Sequence, residues 1–224
     1  MDEPLIIIFL GRSGCGKGTQ AKLVQEKFGL EYIGSGDFLR ERVKNQDFTG
    51  QKIDKVMKEG IFVPTPIIMD ILLDVLEGCK KNGVNIKGII FDGVPRKLIE
   101  AQVLDQTLEW YEWHKNVKIL LIDISEEEAF NRLTKRRICK NCNKLIPYIG
   151  DYKNLTVCDE CGGELVTRPD DKEEAIKSRL SEFMEKTQPV LDYYEKQGRL
   201  IKINGEQPIE QVYKDILAVL KLGN

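Results

Sequence analysis

The run Gly11-Arg12-Ser13-Gly14-Cys15-Gly16-Lys17-Gly18-Thr19 has the composition and spacing of a phosphate cradle. Glycines let backbone N–H groups converge on phosphate oxygens, and a lysine at this place reaches the β and γ phosphates. The run follows the apolar segment Leu5 to Leu10 and precedes a helical pattern that opens near Thr19-Gln20-Ala21. A helix N-terminus there adds positive potential to the loop. Gly18 stands where a Mg²⁺-binding hydroxyl often follows the lysine, and Thr19 comes one place later. Cys15 reads as a small spacer in the loop and not as a nucleophile.

A second constellation is made of sulfur. Cys139-Lys140-Asn141-Cys142 and Cys158-Asp159-Glu160-Cys161 are two C-x-x-C knuckles, at the spacing of a tetrathiolate zinc site. Four thiolates close the coordination sphere, so a metal there is structural; tetrathiolate sites accept zinc or iron. The arginines are the third. Arg40 closes Gly34 to Arg40, Arg96 closes Phe91-Asp92-Gly93-Val94-Pro95-Arg96, and Arg132 and Arg136 precede the knuckles. Arg168 leaves them in Thr167-Arg168-Pro169-Asp170-Asp171, and Arg179 follows. The one histidine, His114, sits beside Trp110 and Trp113 in an expected surface helix or loop and is given no chemistry.

The elements that must position these groups follow from apolar periodicity. Leu5 to Leu10, Ile89 to Phe91, Val117 to Ile124 and Leu200 to Ile203 are continuous apolar, β-rich runs. That is how parallel strands buried on both faces read. Tyr32-Ile33 is a short fifth. Helical patterns lie between them. Ser125 with Glu128 predicts a capping box, and Asp171 with Glu174 a second one. The second opens a helix expected to kink near Pro189, and Ile209, Val212, Ile216 and Leu220 make a terminal amphipathic helix. Strands alternating with helices predict a doubly wound α/β sheet. Residues 34–66 are helical and charged and residues 135–168 hold the knuckles; both read as insertions in that core. The 224 residues carry 34 basic and 36 acidic side chains, a net charge of −2. That balance argues against a general nucleic-acid binder. No apolar run is long enough for a membrane span. Met1-Asp2-Glu3-Pro4 lacks the basic start of a signal peptide. A cytoplasmic location is expected, where cysteines are reduced.

Taken in order, the Gly16-to-Gln20 segment, Gly36 to Arg40, Asp92 to Arg96, the cysteine quartet and the Arg168 to Asp171 exit resemble the adenylate kinases of the nucleoside monophosphate kinase family, in the long form with a zinc-bearing lid. The resemblance covers nearly the whole chain. It implies an α/β P-loop three-layer core with a parallel five-stranded sheet, formed by residues 1–33, 67–134 and 169–224. It also implies a nucleoside monophosphate-binding subdomain at 34–66 and a zinc-binding lid at 135–168. The implied reaction is ATP + AMP ⇌ 2 ADP with Mg²⁺, and the implied second metal is a structural Zn²⁺. A monomer without nucleic-acid or membrane partners is expected.

The resemblance also implies roles. Gly11, Ser13, Gly14, Cys15, Gly16, Lys17, Gly18 and Thr19 would bind ATP phosphates. Arg40 and Arg96 would grip the AMP phosphate. Ser35, Gly36, Leu39, Phe62, Val63, Gly93 and Glu100 would line the monophosphate site. Arg132, Arg136, Arg168 and Arg179 would gather on the transferring phosphoryl group, the last two also reaching the monophosphate. Arg132 and the Asn204-Gly205 loop would touch the ATP base. Asp92 would stand near Mg²⁺, and Asp170 and Asp171 would form a lid hinge. An anionic acceptor needs no general base, so positioning and positive charge carry the catalysis. A dry site and closing lids protect it from water.

Three residues depart from the family pattern. Glu100 replaces a glutamine that bonds the adenine edge, Val94 replaces an aromatic residue, and Ser35 replaces threonine. An ionised carboxylate only accepts hydrogen bonds. It would serve adenine N6–H but not N1, and would suit guanine better, unless Gln102 restores the contact. A GMP-, CMP- or UMP-preferring kinase is therefore an alternative. A P-loop nucleotide switch with a zinc ribbon for a partner is another.

Overall fold

The computed structural model describes residues 4–81, 86–168 and 170–220. Met1 to Glu3, read above for a leader, and Pro169 of the lid exit lie outside them. The chain begins with β1 (Leu5–Leu10), α1 (Lys17–Phe28), β2 (Glu31–Gly34), α2 (Ser35–Val43) and α3 (Phe48–Lys58). Next come α4 (Thr65–Lys81), β3 (Gly88–Asp92), α5 (Leu98–Trp110), β4 (Val117–Asp123) and α6 (Glu126–Thr134). The short strands β5 (Arg137–Cys139), β6 (Leu145–Ile146) and β7 (Leu165–Thr167) follow, with a 3₁₀ turn at Gly150–Asn154. The chain ends with α7 (Glu173–Glu182), a π turn (Phe183–Thr187), α8 (Gln188–Lys196), β8 (Leu200–Asn204) and α9 (Ile209–Leu220).

The apolar runs assemble as their composition predicts. A five-stranded sheet has the order β2-β3-β1-β4-β8, and every pairing in it is parallel. Alternation splits each strand between two cores. Ile6, Ile8 and Leu10 of β1 face one side, with Leu72 and Leu76 of α4, Leu104 of α5 and Tyr194 of α8. Ile7 and Phe9 face the other, with Val24 of α1, Leu133 of α6, Leu180 of α7 and Ile216 of α9. Helices thus cover both faces, giving three layers. Ile6 to Phe9 are fully buried, worth about 1.5–3 kcal/mol per side chain. A third, small cluster of Leu39, Ile53 and Val63 holds α2, α3 and the start of α4 together. The break expected at residue 66 falls inside α4, which begins at Thr65. The strands β6-β5-β7 form a separate antiparallel sheet.

Local signals were overruled in four places. Ser125 caps α6 by accepting from Glu128 N at 3.2 Å, but the reciprocal bond of a capping box is absent. Glu128 instead accepts from Arg132 Nε at 2.6 Å, and Ser125 N donates to Glu206 at 2.7 Å. A charge-assisted bond to arginine outcompetes a neutral backbone donor. Asp171 caps nothing: α7 starts at Glu173 after Lys172, and the Asp171 carboxylate is taken by two arginines. The expected kink at Pro189 is a π turn just before it, closed by Gln188 N to Phe183 O. Pro189 falls in the first turn of α8, where its missing N–H is not needed. Trp113 is buried and stacks on Tyr111 with ring centroids 5.1 Å apart, whereas Trp110 is exposed. Among the described residues, no helix is long and apolar enough to cross a membrane.

Candidate active site and metal centre

β1 lies between β3 and β4, so the chain winds first to one side of it and then to the other. In such sheets the crevice beyond the strand's carboxyl end is the binding position. The phosphate loop leaves β1 there. Gly11 has φ 140°, and a Cβ on it would fall 2.4 Å from Ile122 O, so only glycine fits. Gly14 and Gly16 also have positive φ, and Gly16 is the N-cap of α1. Lys17 Nζ donates to Gly11 O at 2.7 Å and Arg12 O at 3.0 Å, folding the loop around its own ammonium. Thr19 lies in the first turn of α1, and Cys15 is buried.

The glycine at position 18 has a steric counterpart. A Cβ there would stand 3.1 Å from Asp92 Oδ2, so the missing side chain leaves room for that carboxylate beside the loop. Tyr32 Oη donates to Asp92 Oδ2 at 2.9 Å. Burial and then the Asp92 charge push the Tyr32 phenol far above its usual range.

Across the loop, a cleft brings distant residues together. Gly11, Ser13, Lys17, Phe62, Gly93, Arg96 and Arg179 line it, with Phe183 and Thr187 of the π turn. The Arg96 guanidinium lies 4.8 Å over the Phe62 ring, and its Nε donates to Gly93 O at 2.7 Å. Burial pushes this guanidinium below its usual range; Asp92 and Glu100 oppose that, while Arg179 and Arg40 add to it. Arg168 is brought down to about 10, by burial first and by the neighbouring Arg136 next. Five arginines from different segments, Arg40, Arg96, Arg136, Arg168 and Arg179, are therefore linked by their charge.

Three of them are anchored by two aspartates. Arg136 clasps Asp171 through Nε and Nη2, both at 2.7 Å, and Arg179 Nη2 donates to Asp171 Oδ1 at 2.6 Å. The Asp171 side chain is 0% exposed. Burial alone would raise its carboxyl, yet the bonds and charges of Arg136 and Arg179 hold it below the usual carboxylate range. Arg168 pairs with Asp170 at 2.6 Å. Arg132 Nη2 donates to Gly205 O at 3.0 Å, so Arg132 and the Asn204-Gly205 loop adjoin. Arg40 pairs with Asp37 at 2.5 Å on the surface, and its guanidinium lies beside Gly36.

A second pocket is lined by Ile33, Ser35, Phe38, Leu39, Ile68, Ile71, Leu72 and Val94. It unites the expected Ser35 and Leu39. Phe38, Ile68, Ile71 and Leu72 were not anticipated, although the last three follow the helical spacing of one face of α4. Ser35 Oγ donates to Gly93 O at 2.7 Å. Val63 packs against Leu39 and Ile53 instead. Glu100 is placed differently from the expectation of a base contact: it is 2% exposed and turned back into the start of α5, with Arg96 N at 2.8 Å. Gln102 is likewise absent from the residues that line this pocket. Arg12 was also missed. Its Nη1 donates to Ile124 O at 3.1 Å, and its guanidinium covers the Phe183 ring at 4.9 Å.

The knuckles meet as their spacing requires. The sulfurs of Cys139, Cys142, Cys158 and Cys161 all lie within 4.8 Å of one another. A tetrahedral thiolate site with metal–sulfur bonds of about 2.3 Å needs sulfurs about 3.8 Å apart. The two turns are alike: Asn143 N donates to Cys139 O at 3.0 Å, and Gly162 N to Cys158 O at 2.9 Å. Backbone N–H groups of the knuckle pull the Cys139 thiol down to about 6. This cluster can hold a metal ion.

A phosphate loop at the switch point of a parallel sheet, facing convergent arginines, defines a P-loop phosphotransferase. The chain matches the adenylate kinase family model over residues 9–199. It is 40% identical over 217 residues to an adenylate kinase of Caldicellulosiruptor bescii, covering 96% of this chain and 98% of that one. Identity is 40% over 219 residues to that of Archaeoglobus fulgidus, with 96% and 97% covered. It is 42% over 216 residues to that of Methanothrix thermoacetophila, with the same coverage. The chain belongs to the adenylate kinase family, and it is a nucleoside monophosphate phosphotransferase.

Proposed function

We propose that the chain catalyses ATP + AMP ⇌ 2 ADP. The observation that carries this reading is the convergence of Lys17, Arg96 and Arg179 on one cavity beside the phosphate loop. Two polyanions repel each other, and a cluster of buried cations lowers that barrier. Gly11, Ser13, Gly14, Cys15, Gly16, Lys17, Gly18 and Thr19 hold the ATP phosphates. Arg40 and Arg96 hold the acceptor phosphate. Arg132, Arg136, Arg168 and Arg179 neutralise the group in transit, and Arg132 with Asn204-Gly205 receives the ATP base. The apolar pocket of Ser35, Leu39 and Val94 receives the acceptor base. Mg²⁺ arriving with ATP spreads the charge of the phosphate oxygens; Asp92, oriented by Tyr32, is the carboxylate that would hold it. Residues 34–66 and 135–168 act as moving covers on the core of 1–33, 67–134 and 169–224, and their closure excludes water. The protein works as a cytoplasmic monomer.

The metal of the four cysteines is zinc. The sheet β6-β5-β7 has strands of at most three residues, too little to hold a core, so the ion holds the cover together. Stripping it with a strong chelator is expected to unfold residues 137–167 and abolish transfer. Amide exchange should show lost protection there and retained protection in β1, β3 and β4. Unchanged exchange in the cover would refute a structural metal.

A phosphoryl-transfer assay tests the function, with Mg·ATP and AMP, GMP, CMP, UMP or dTMP, and a no-acceptor control. Rapid ADP formation with AMP alone is expected. Preference for another acceptor would keep the mechanism and change the substrate. No transfer to any acceptor by metal-replete protein would sink the reading.

A further inference from the structure

The carboxylate of Glu100 is buried, and a buried charge is costly unless it is fully engaged. Its partners account for both oxygens. Oε2 accepts from Arg96 N at 2.8 Å and Lys97 N at 3.3 Å, and Oε1 accepts from Thr65 Oγ1 at 3.2 Å. The positive end of α5 adds to this. Glu100 is absent from the lining of the apolar acceptor pocket, so its carboxylate is turned away from a base held there.

What Glu100 does hold is Arg96. That residue lies in the link between β3 and α5, where no ladder or helix fixes its backbone. Its N–H is bound by Glu100, and its C=O accepts from Thr187 Oγ1 at 3.0 Å. With both peptide groups pinned, the side chain leaves in one direction, over Phe62 and onto Gly93 O. Glu100 also ties this link to the exit of residues 34–66. Thr65 is the first residue of α4, and Lys97 Nζ donates to Val63 O at 2.9 Å.

We infer that Glu100 is a positioning residue that aims Arg96 at the acceptor phosphate, and that it does not read the acceptor base. This rests on the reading of Arg96 as the holder of that phosphate. The consequence is specific: changes at position 100 act on every acceptor alike, including one without a base.

The test is NMR titration of the parent, Glu100→Ala and Glu100→Gln proteins with AMP, GMP, ribose 5-phosphate and ATP. Glu100→Ala is expected to weaken AMP, GMP and ribose 5-phosphate by the same factor, about 10-fold, with ATP binding changed less than about 2-fold. Glu100→Gln keeps one carbonyl oxygen for Arg96 N and should lose only about 3-fold. Amide exchange at Arg96 and Lys97 should accelerate in both variants, more in the alanine one. If AMP and GMP shift in opposite directions, or ribose 5-phosphate is unaffected, Glu100 reads the base and the inference is overturned. Should the alanine variant not fold, the isosteric glutamine one decides. A parent protein that binds AMP but transfers nothing would defeat the proposed reaction. The ligand shifts and the Arg96 amide would still judge Glu100.

Discussion

Lys17→Met is expected to slow phosphoryl transfer about 10³-fold while leaving the fold in place, since one preorganised charge at developing phosphate charge is worth that much. Lys17 is the one side-chain cation of the loop aimed into the cavity shared with Arg96 and Arg179. Its bonds within the loop go to Gly11 O and Arg12 O, and neither is a contact with the packed core. The thermal midpoint should therefore move by no more than a few degrees. Single-turnover measurement with Mg·ATP and AMP reads the effect on transfer. A loss below tenfold would mean that the lysine serves the loop and not the phosphates.

Asp171→Asn should be the most damaging single change to stability. The carboxylate sits between Arg136 and Arg179 with its side chain fully buried. Removing its charge strands two neighbouring cations, and breaking a buried pair costs about 3–5 kcal/mol. For a chain of this size the midpoint falls by roughly 10 °C. Activity should fall as well, because both guanidiniums lose their common anchor. Acid does by titration what the substitution does by replacement. The folded carboxyl is depressed, so its stabilisation is fully present above the unfolded value of about 3.9. It is lost as pH falls from there through the folded value. Urea midpoints of parent and variant between pH 6 and pH 2 should therefore converge at the acid end. Parallel curves would show that Asp171 carries no such charge energy.

The parts of this molecule that were legible in its sequence are those whose signal is contiguous. β1, β3 and the centre of β4 are apolar runs because both faces of each strand are covered, β8 at the sheet edge leaves Lys202 exposed, and the limits of all four fall within a residue or two of the pattern. The phosphate loop and the knuckles carry their chemistry in consecutive residues. What stayed hidden depends on which of several competing partners wins, some of them far along the chain. Asp171 and Glu128 stand at capping-box spacing, but arginines claim both; the Asp171 partner Arg136 lies 35 residues away. Ile68, Ile71 and Leu72 are an ordinary apolar helix face, and nothing local says that a pocket lies against it. Glu100 occupies the place of a base contact by resemblance, yet the local demand of a helix start for an acceptor decided where it points.

The π turn between α7 and α8 is an extra residue in a helical frame. The wider turn absorbs that residue, so deleting one residue there would close an ordinary α-helical turn and leave α8 near its present orientation. A further inserted residue has no such outlet: at 3.6 residues per turn it would rotate everything downstream by about 100°. Val190, Leu191 and Tyr194, now in the core, would then swing toward solvent. The segment should tolerate the loss of one residue far better than the gain of one.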